Sequence, residues 1–264
     1  MKTLPDSDAF DWILLGRAAM TSEVNEYNGV QVTGLLPAVF ERYAKIFHKL
    51  DVRAEDPQAG LTAEEIAILK IPECAEVRDF WVKRRTMAAD SRIRWKDAAD
   101  AFGVPYAPEL THSWFSQRLK PNPQCWPRFI WGPADGTLDA QECNQLVSVL
   151  AGVTSTQGCY FRFAEIPFIA TDQELLFAGR LDEVGDCFLN GAIKSVYERP
   201  FQYTPEYWWP EDHSWCVCSD YDLTFTVVGG SSSLIERFLD HPILECLEVR
   251  PETRVDNLSP MPMG

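Results

Sequence analysis

The stretch Trp208–Gly230 constrains the fold of this chain more than any other part of the sequence. Small and large residues alternate through Trp215–Cys218, an aspartate-rich turn follows at 219–222, and alternation resumes through Leu223–Val227. Period-two alternation on both sides of such a turn predicts a β-hairpin. Side chains alternate across a strand, so the first strand has two different faces. These faces carry Trp215 and Val217 on one side, and Cys216 and Cys218 on the other.

The rest of the second half predicts strands and single helices. The strands are expected at 128–131, 158–163, 174–178 and 244–249, and the helices at 139–150 and from Ser233 to Asp240. Strands that pair as hairpins and are interrupted by single helices favour an α+β fold with a mostly antiparallel sheet over a doubly wound parallel sheet.

The first half predicts a helical N-terminal region. Helices are expected at 10–20, 35–50, 62–70 and 75–89. The second of these has the clearest pattern, because apolar residues from Leu36 to Leu50 fall on one helical stripe. His48 lies beside this stripe and is expected to be a packed or surface residue and not a ligand, since a histidine becomes a functional candidate only with partners. The expected organisation is a helical region at 1–110, an α+β domain at 111–250 and a tail at 251–264.

The charge balance limits the classes of partner. The 264 residues include 24 Lys and Arg against 39 Asp and Glu, a net charge of −15. This excess disfavours nonspecific nucleic-acid binding, which requires a basic surface, and favours another protein, of basic character, as the partner. No apolar run is long enough to span a bilayer, and the N-terminus lacks the pattern of a signal peptide, so a cytoplasmic location without a membrane partner is expected.

The eight cysteines do not indicate a metal or redox site. No pair has the C-x-x-C spacing typical of zinc sites and redox motifs, so buried free thiols are expected. No catalytic motif such as G-x-S-x-G is present either, which favours binding over catalysis. The sequence therefore predicts no cofactor and no metal.

A candidate binding site lies around the hairpin. Its aromatic pair is expected in a loop between Pro205 and Pro210, where it could anchor a partner or cover the open end of the sheet. Its carboxylates could face a partner, share a cation or simply cap turns, and the ligand set is incomplete for calcium. The predicted binding residues are Trp208, Trp209, Glu211, Asp212, Asp220 and Asp222.

The glycine and serine run 229–233 between a strand and a helix could receive a phosphate on exposed N–H groups. It matches neither of the glycine-rich nucleotide-binding patterns. A capping box made by Ser233 and Glu236 explains the serines without a ligand.

Residues 96–120 have the rough outline of a helix-turn-helix motif. The second helix carries Trp114 and Phe115, which favour docking on a core over reading a groove. Base readout requires Arg, Lys, Asn or Gln at the leading turn, so DNA binding is the least favoured alternative.

The run W-W-P-E-D-H-S-W-C-V-C-S-D-Y-D from Trp208 is followed by T-V-V-G-G-S and L-D-H-P-I-L-E-C. Together these segments resemble the C-terminal signature of a family of uncharacterised bacterial proteins, and W-G-P-A-D-G-T-L at 131–138 is similar to an upstream element of the same family. The resemblance covers about half the chain, from Trp126 to Val249. It implies no activity, cofactor or catalytic residue.

Three functional hypotheses remain open. The first is a protein-interaction module with an acidic surface, of the kind that an immunity-type inhibitor of a basic toxin would use. The second is a small-molecule-binding or hydrolase-like enzyme with its site at the 208–222 corner. The third is DNA binding through 96–120.

Overall fold

The structure, a computed structural model, describes residues 2–4, 8–17, 30–52, 92–118, 130–156, 158–163, 175–184, 204–256 and 261. The chain divides into two compact units, one of residues 1–48 with 134–256 and one of residues 49–133 with 257–264. The predicted segments 1–110, 111–250 and 251–264 do not coincide with these units, because residues near both ends of the chain contribute to one sheet.

The first unit is built on an antiparallel sheet that has eight strands within the described residues. In sheet order the strands are β1 (Lys2–Leu4), β7 (Leu175–Gly179), β6 (Cys159–Phe163), β8 (Tyr207–Pro210), β9 (Cys216–Cys218), β10 (Phe225–Gly230), β2 (Arg42–Phe47) and β11 (Glu245–Val249). The helices of this unit are α1 (Asp11–Gly16), α2 (Val32–Leu35), α5 (Ala140–Ala151) and α6 (Ser232–Leu239). The α+β class with a mostly antiparallel sheet is confirmed.

The predicted hairpin is confirmed in its pairing. Strands β9 and β10 are antiparallel, with Val228 opposite Val217 and Gly229 opposite Cys216. The two faces are also as predicted, since Trp215 and Val217 join one hydrophobic cluster and the cysteines join another.

The predicted helix over 35–50 is wrong. Residues Arg42–Phe47 form strand β2, which pairs with β10 on one side and β11 on the other. Aromatic and β-branched residues favour a strand that is buried on both faces, and pairing on both edges overrides the helical spacing of the apolar residues. Of the predicted helix at 10–20, the described part is α1.

Both faces of the sheet are covered. Helices α5 and α6 supply Leu146, Leu150, Ile235 and Phe238 to a cluster on one face. On the other face, the N-terminal segment supplies Phe10, Ile13 and Leu36 to a second cluster that also takes in Val255. The sheet is therefore the middle layer of three, and all four residues of the central strand β8 are buried.

Local signals in the sequence explain the two packed helices. Asp139 accepts the N–H of Glu142, and the Glu142 carboxylate receives the N–H of Asp139 in return, which is a capping box. The helix it begins buries Cys143, Leu146 and Leu150. Helix α6 has Ser231 as its N-cap, and not Ser233, because the Ser231 side chain accepts the N–H of Leu234.

The second unit contains a small antiparallel sheet and two helices within its described residues. The strands, in sheet order, are β4 (Arg92–Ile93), β3 (Leu50–Val52) and β5 (Ile130–Trp131). The helices are α3 (Trp95–Phe102) and α4 (His112–Arg118), and their aromatic side chains Trp95, Trp114 and Phe115 are buried. The predicted helices at 62–70 and 75–89 lie outside the described residues.

Among the described residues, no helix combines the length and the apolar character needed to cross a membrane.

Candidate functional site

The two candidate tryptophans do not lie in a loop. Trp208 and Trp209 are in strand β8, so the expectation of a loop is wrong, and both have an exposed fraction of 0%. Trp208 packs with the helix-side cluster, and its indole N–H donates to the Pro205 carbonyl at 2.9 Å. Trp209 faces the other way and stacks on Tyr160, with ring centroids 5.4 Å apart. A covered strand leaves neither indole accessible to a partner.

The four candidate carboxylates fall into two separate pairs. Glu211 and Asp212 lie in the turn between β8 and β9, and Asp220 and Asp222 lie in the turn between β9 and β10. Consecutive antiparallel strands place successive turns at opposite ends of a sheet. The structure therefore places the two acidic pairs of the 208–222 corner at opposite ends of the sheet, where they do not form one site.

The first turn holds its acidic groups in a fixed arrangement at the surface. The Asp212 carboxylate accepts the Ser214 N–H at 3.0 Å and the Ser155 hydroxyl at 2.7 Å. Partial burial acts to raise the pKa of Asp212, but the hydrogen bonds from Ser214 and Ser155 outweigh it, so the pKa is lowered and the charge is retained. Glu211 is exposed next to it.

His213 in this turn has a backbone φ of 55°, in the left-handed region that non-glycine residues seldom occupy. Its ring stacks on Trp12, with 4.1 Å between centroids and 8° between planes. Burial lowers the pKa of His213, and the nearby charge of Asp212 opposes this only in part. The ring is therefore neutral at pH 7 and covers one face of the Trp12 indole.

Two buried indole N–H groups lie in this stack and next to it. Within the described part of the chain, the Nε1 atoms of Trp12 and Trp209 are buried and have no hydrogen-bond partner. Their rings are in edge contact, with centroids 6.5 Å apart. Unsatisfied buried donors are uncommon in folded proteins, and sequence analysis gave no signal for them.

The second turn is shaped by its own aspartates and by a neighbouring loop. Asp220 accepts the N–H of Asp222 at 3.0 Å, which is an Asx-turn. Gly136 has a φ of 65° and donates its N–H to the Leu223 carbonyl at 2.8 Å, and a Cβ there would lie 2.5 Å from the Cα of Tyr221. Only glycine permits this approach. Burial and then the charge of Asp222 raise the pKa of Asp135.

A buried polar network behind the second turn was not predicted. The His48 ring lies between the Ala134 carbonyl, 2.7 Å from Nδ1, and the Thr226 hydroxyl, 2.9 Å from Nε2. A carbonyl only accepts, so Nδ1 carries the proton, Nε2 accepts from Thr226, and Thr226 in turn accepts from Ser219 at 2.7 Å. Burial lowers the pKa of His48 to about 4. This role of His48 was not predicted because residues 35–50 match a helical pattern.

These three polar groups are all buried, with exposed fractions of 1% or less. Their hydrogen bonds satisfy one another, and no member presents a free nucleophile to solvent. The sequence of hydrogen bonds is like that of a proton relay. Its members are closed off from solvent, however, so the network stabilises the strands that it joins.

The N-terminus of α6 is already occupied by a carboxylate. Glu41 accepts the N–H of Ser232 at 2.8 Å, and this bond lowers the pKa of Glu41. Ser231 accepts the N–H of Leu234 in the same turn. A side chain of the protein thus fills the position that a phosphate would take.

The helices proposed for DNA binding differ from a helix-turn-helix motif in their connection. Helix α3 ends at Gly103, whose φ is 62°, and α4 begins nine residues later at His112. A DNA-reading motif joins its helices by three or four residues. Trp114 and Phe115 are fully buried, as expected for docking on a core.

Among the described residues, no group of three or more His, Cys, Asp or Glu side chains is placed to hold a metal ion. The described cysteines are free thiols, and all but Cys246 are buried. Burial, with the charges of nearby acids, raises the pKa of Cys143 and Cys159 to about 12.

Comparison with protein-family models, with curated proteins and with solved structures finds no match for this chain.

Proposed function

We propose that this protein is an interaction module that binds a basic partner protein through the acidic surface of its sheet unit. The observation that carries the proposal is the distribution of charge between the two units. Residues 1–48 with 134–256 contain 11 Lys and Arg against 27 Asp and Glu, a net charge of −16, while the other unit contains 13 against 12, a net of +1. The net negative charge of the chain is thus carried by the sheet unit.

The arginines of the sheet unit are largely engaged within it. Arg42 makes a bidentate contact with Glu248 at 2.7 Å and also reaches Glu236. Arg162 pairs with Glu206 at 3.0 Å, and Arg254 pairs with Asp256. Because cations are turned to intramolecular carboxylates, the remaining acids set the sign of the surface potential.

Glu211 and Asp212 show how such acids are presented. Both are exposed, and Asp212 is held by two hydrogen bonds, so little side-chain entropy is lost when a cation approaches. Complementary charge of this kind accelerates association and excludes acidic competitors. An inhibitor of a basic toxin is one form that this function would take.

The free thiols support a cytoplasmic location as part of the proposal. Disulfides persist in oxidising compartments and are rare in the cytosol. The described cysteines are free thiols, which suits a reducing environment.

The test is capture of basic proteins from the source cells on the immobilised full chain, at low and at high salt, with bound proteins identified by mass spectrometry. We expect basic proteins to be retained at low salt and released at high salt. A variant with Glu211→Gln and Asp212→Asn should weaken retention, since the amides keep the turn's hydrogen bonds and lose its charge. Glu252→Gln, at another exposed acid, is the matched control. Retention of an acidic partner that is indifferent to salt would contradict the proposal.

A further inference from the structure

The three most exposed of the large hydrophobic side chains in the described residues lie in two neighbouring segments. Leu14, Leu15 and Val39 have exposed fractions of 53%, 85% and 68%. Leu14 and Leu15 are on α1, and Val39 is in the turn after α2. The Ala38 N–H donates to the Gly16 carbonyl at 3.1 Å, so this turn is joined to the end of α1. We call these three residues the apolar patch.

The apolar patch is displayed on a rigid base. Ile13, on the opposite side of α1, is fully buried. Trp12 packs against Phe40 at 6.4 Å between ring centroids, and against Trp209 and His213. Exposed leucines on a firmly anchored helix are not the result of a frayed end, and exposed apolar side chains that adjoin one another, with polar residues around them, mark interaction sites.

Arg17 strengthens this anchoring and removes a positive charge from the surface. Its guanidinium donates to the Gly34 carbonyl at 2.6 Å and to the Tyr207 hydroxyl at 3.1 Å. Tyr207 is itself buried in β8. The one cation at the end of α1 therefore points towards the sheet and not towards a partner.

The surroundings of the apolar patch are acidic. Asp8 and Asp11 are exposed at the start of the same helical segment, one or two turns before the leucines. The turn with Glu211 and Asp212 is connected to α1 by the stack of His213 on Trp12. An apolar centre with a negatively charged rim is complementary to apolar side chains flanked by Lys or Arg.

We infer that the apolar patch, with Asp8 and Asp11, is the docking surface for an amphipathic, basic helical segment of the partner protein. Apolar side chains at helical spacing would contact Leu14, Leu15 and Val39, and basic side chains would pair with the two aspartates. This inference rests on the proposed function and names the surface and the chemistry of its partner. A second copy of this chain fits less well, because each copy brings the same negative charge, and an anionic membrane is disfavoured for the same reason.

The probe is a synthetic peptide of about 18 residues in which leucine and lysine alternate at helical spacing. We expect it to bind the full chain and to gain helicity on binding. Leu14→Ser with Leu15→Ser should weaken binding at least about tenfold. Asp8→Asn with Asp11→Asn should weaken it less and reduce its dependence on salt.

The controls separate the patch from general charge and from misfolding. A leucine and glutamate peptide of the same pattern should not bind, and Tyr221→Ser, at an exposed aromatic residue elsewhere, should bind the basic peptide as the parent does. Because both leucines are exposed, the double serine variant should keep the parent's melting temperature, which shows that any loss is local.

Each other outcome overturns the inference in a distinct way. Equal binding of the basic peptide to the parent and the serine variant would show that the apolar patch is not the docking surface, and it would leave the proposed function standing. Binding of the acidic peptide removes the charge complementarity. A dimer that the serine substitutions dissociate identifies a second copy as the occupant. No binding of the basic peptide, together with retention of basic proteins on the immobilised chain, again refutes only the surface, whereas loss of both refutes the function.

Discussion

The Nδ1 atom of His48 lies 2.7 Å from the carbonyl oxygen of Ala134, and these two residues mark where the chain leaves the sheet unit and where it returns. The same ring is held from its other side by Thr226 of β10. One buried imidazole thus ties both crossing points to the sheet. Loss of this ring should therefore destabilise the whole sheet unit.

His48→Ala should lower the free energy of unfolding by about 3 kcal/mol, since it leaves a cavity and strands buried polar groups on Ala134 and Thr226. Urea unfolding followed by fluorescence measures the change. Thr226→Val, which keeps the shape and removes the hydroxyl, should cost about 1–3 kcal/mol. A His48→Ala protein within about 0.5 kcal/mol of the parent would show that the network contributes nothing to stability.

The stability of the protein should fall with acidification because of His48. Its pKa is lowered to about 4 in the folded state, against 6.5 for an ordinary histidine. The unfolded chain therefore binds more protons between these values, and the contribution is complete above the upper one. Stability should decline by up to about 1.4 kcal/mol per pH unit through this window.

The measurement is urea unfolding of the parent and of His48→Gln across that window. Glutamine does not titrate, so the difference between the two proteins isolates His48 from His112 and His213, whose pKa values burial also lowers. The advantage of the parent should shrink as the pH falls. A constant difference would mean that His48 has an ordinary pKa when folded.

Substitution of Trp208 should affect stability and leave binding intact. Trp208→Ala should cost about 3–5 kcal/mol, because a large side chain with no exposed surface leaves a cavity in the core. Trp208→Phe should fold and retain basic proteins as the parent does. Loss of retention by a folded Trp208→Phe protein would show that Trp208 contributes to binding.

Serine substitution at the start of α6 should distinguish the two candidate caps. Ser231→Ala removes the acceptor for the Leu234 N–H and should cost about 1 kcal/mol. Ser233→Ala is the matched control, and it should cost less because Ser233 lies within the helix. Thermal melts of both variants measure the difference, and the opposite order would place the cap at Ser233.

The parts of the fold that the sequence predicted are those that local pattern determines. The β9–β10 hairpin followed from alternation around an aspartate-rich turn, and helix α5 followed from the spacing of its apolar residues. Strand β2 was missed because its apolar residues also fit a helical stripe. Lys45, at its centre, is fully buried, with its ammonium 4.2 Å from the Phe225 ring centroid.

The candidate site was predicted less well because it depends on which faces of the sheet are covered. The prolines at 205 and 210 suggested a loop, whereas both tryptophans between them lie in a strand covered from both sides. Nothing local indicates that residues 10–17 and 30–36 cover the second face. The acids of the first turn are exposed, but strand β9 separates them from those of the second.

The bond between His48 and Ala134 also has a consequence for how this chain can be remodelled. The His48 ring reaches the Ala134 carbonyl oxygen, so a short linker between these two residues could replace residues 49–133. The strands described for the larger sheet all lie outside 49–133, so their pairings would be kept, and a different domain could be inserted at the same point.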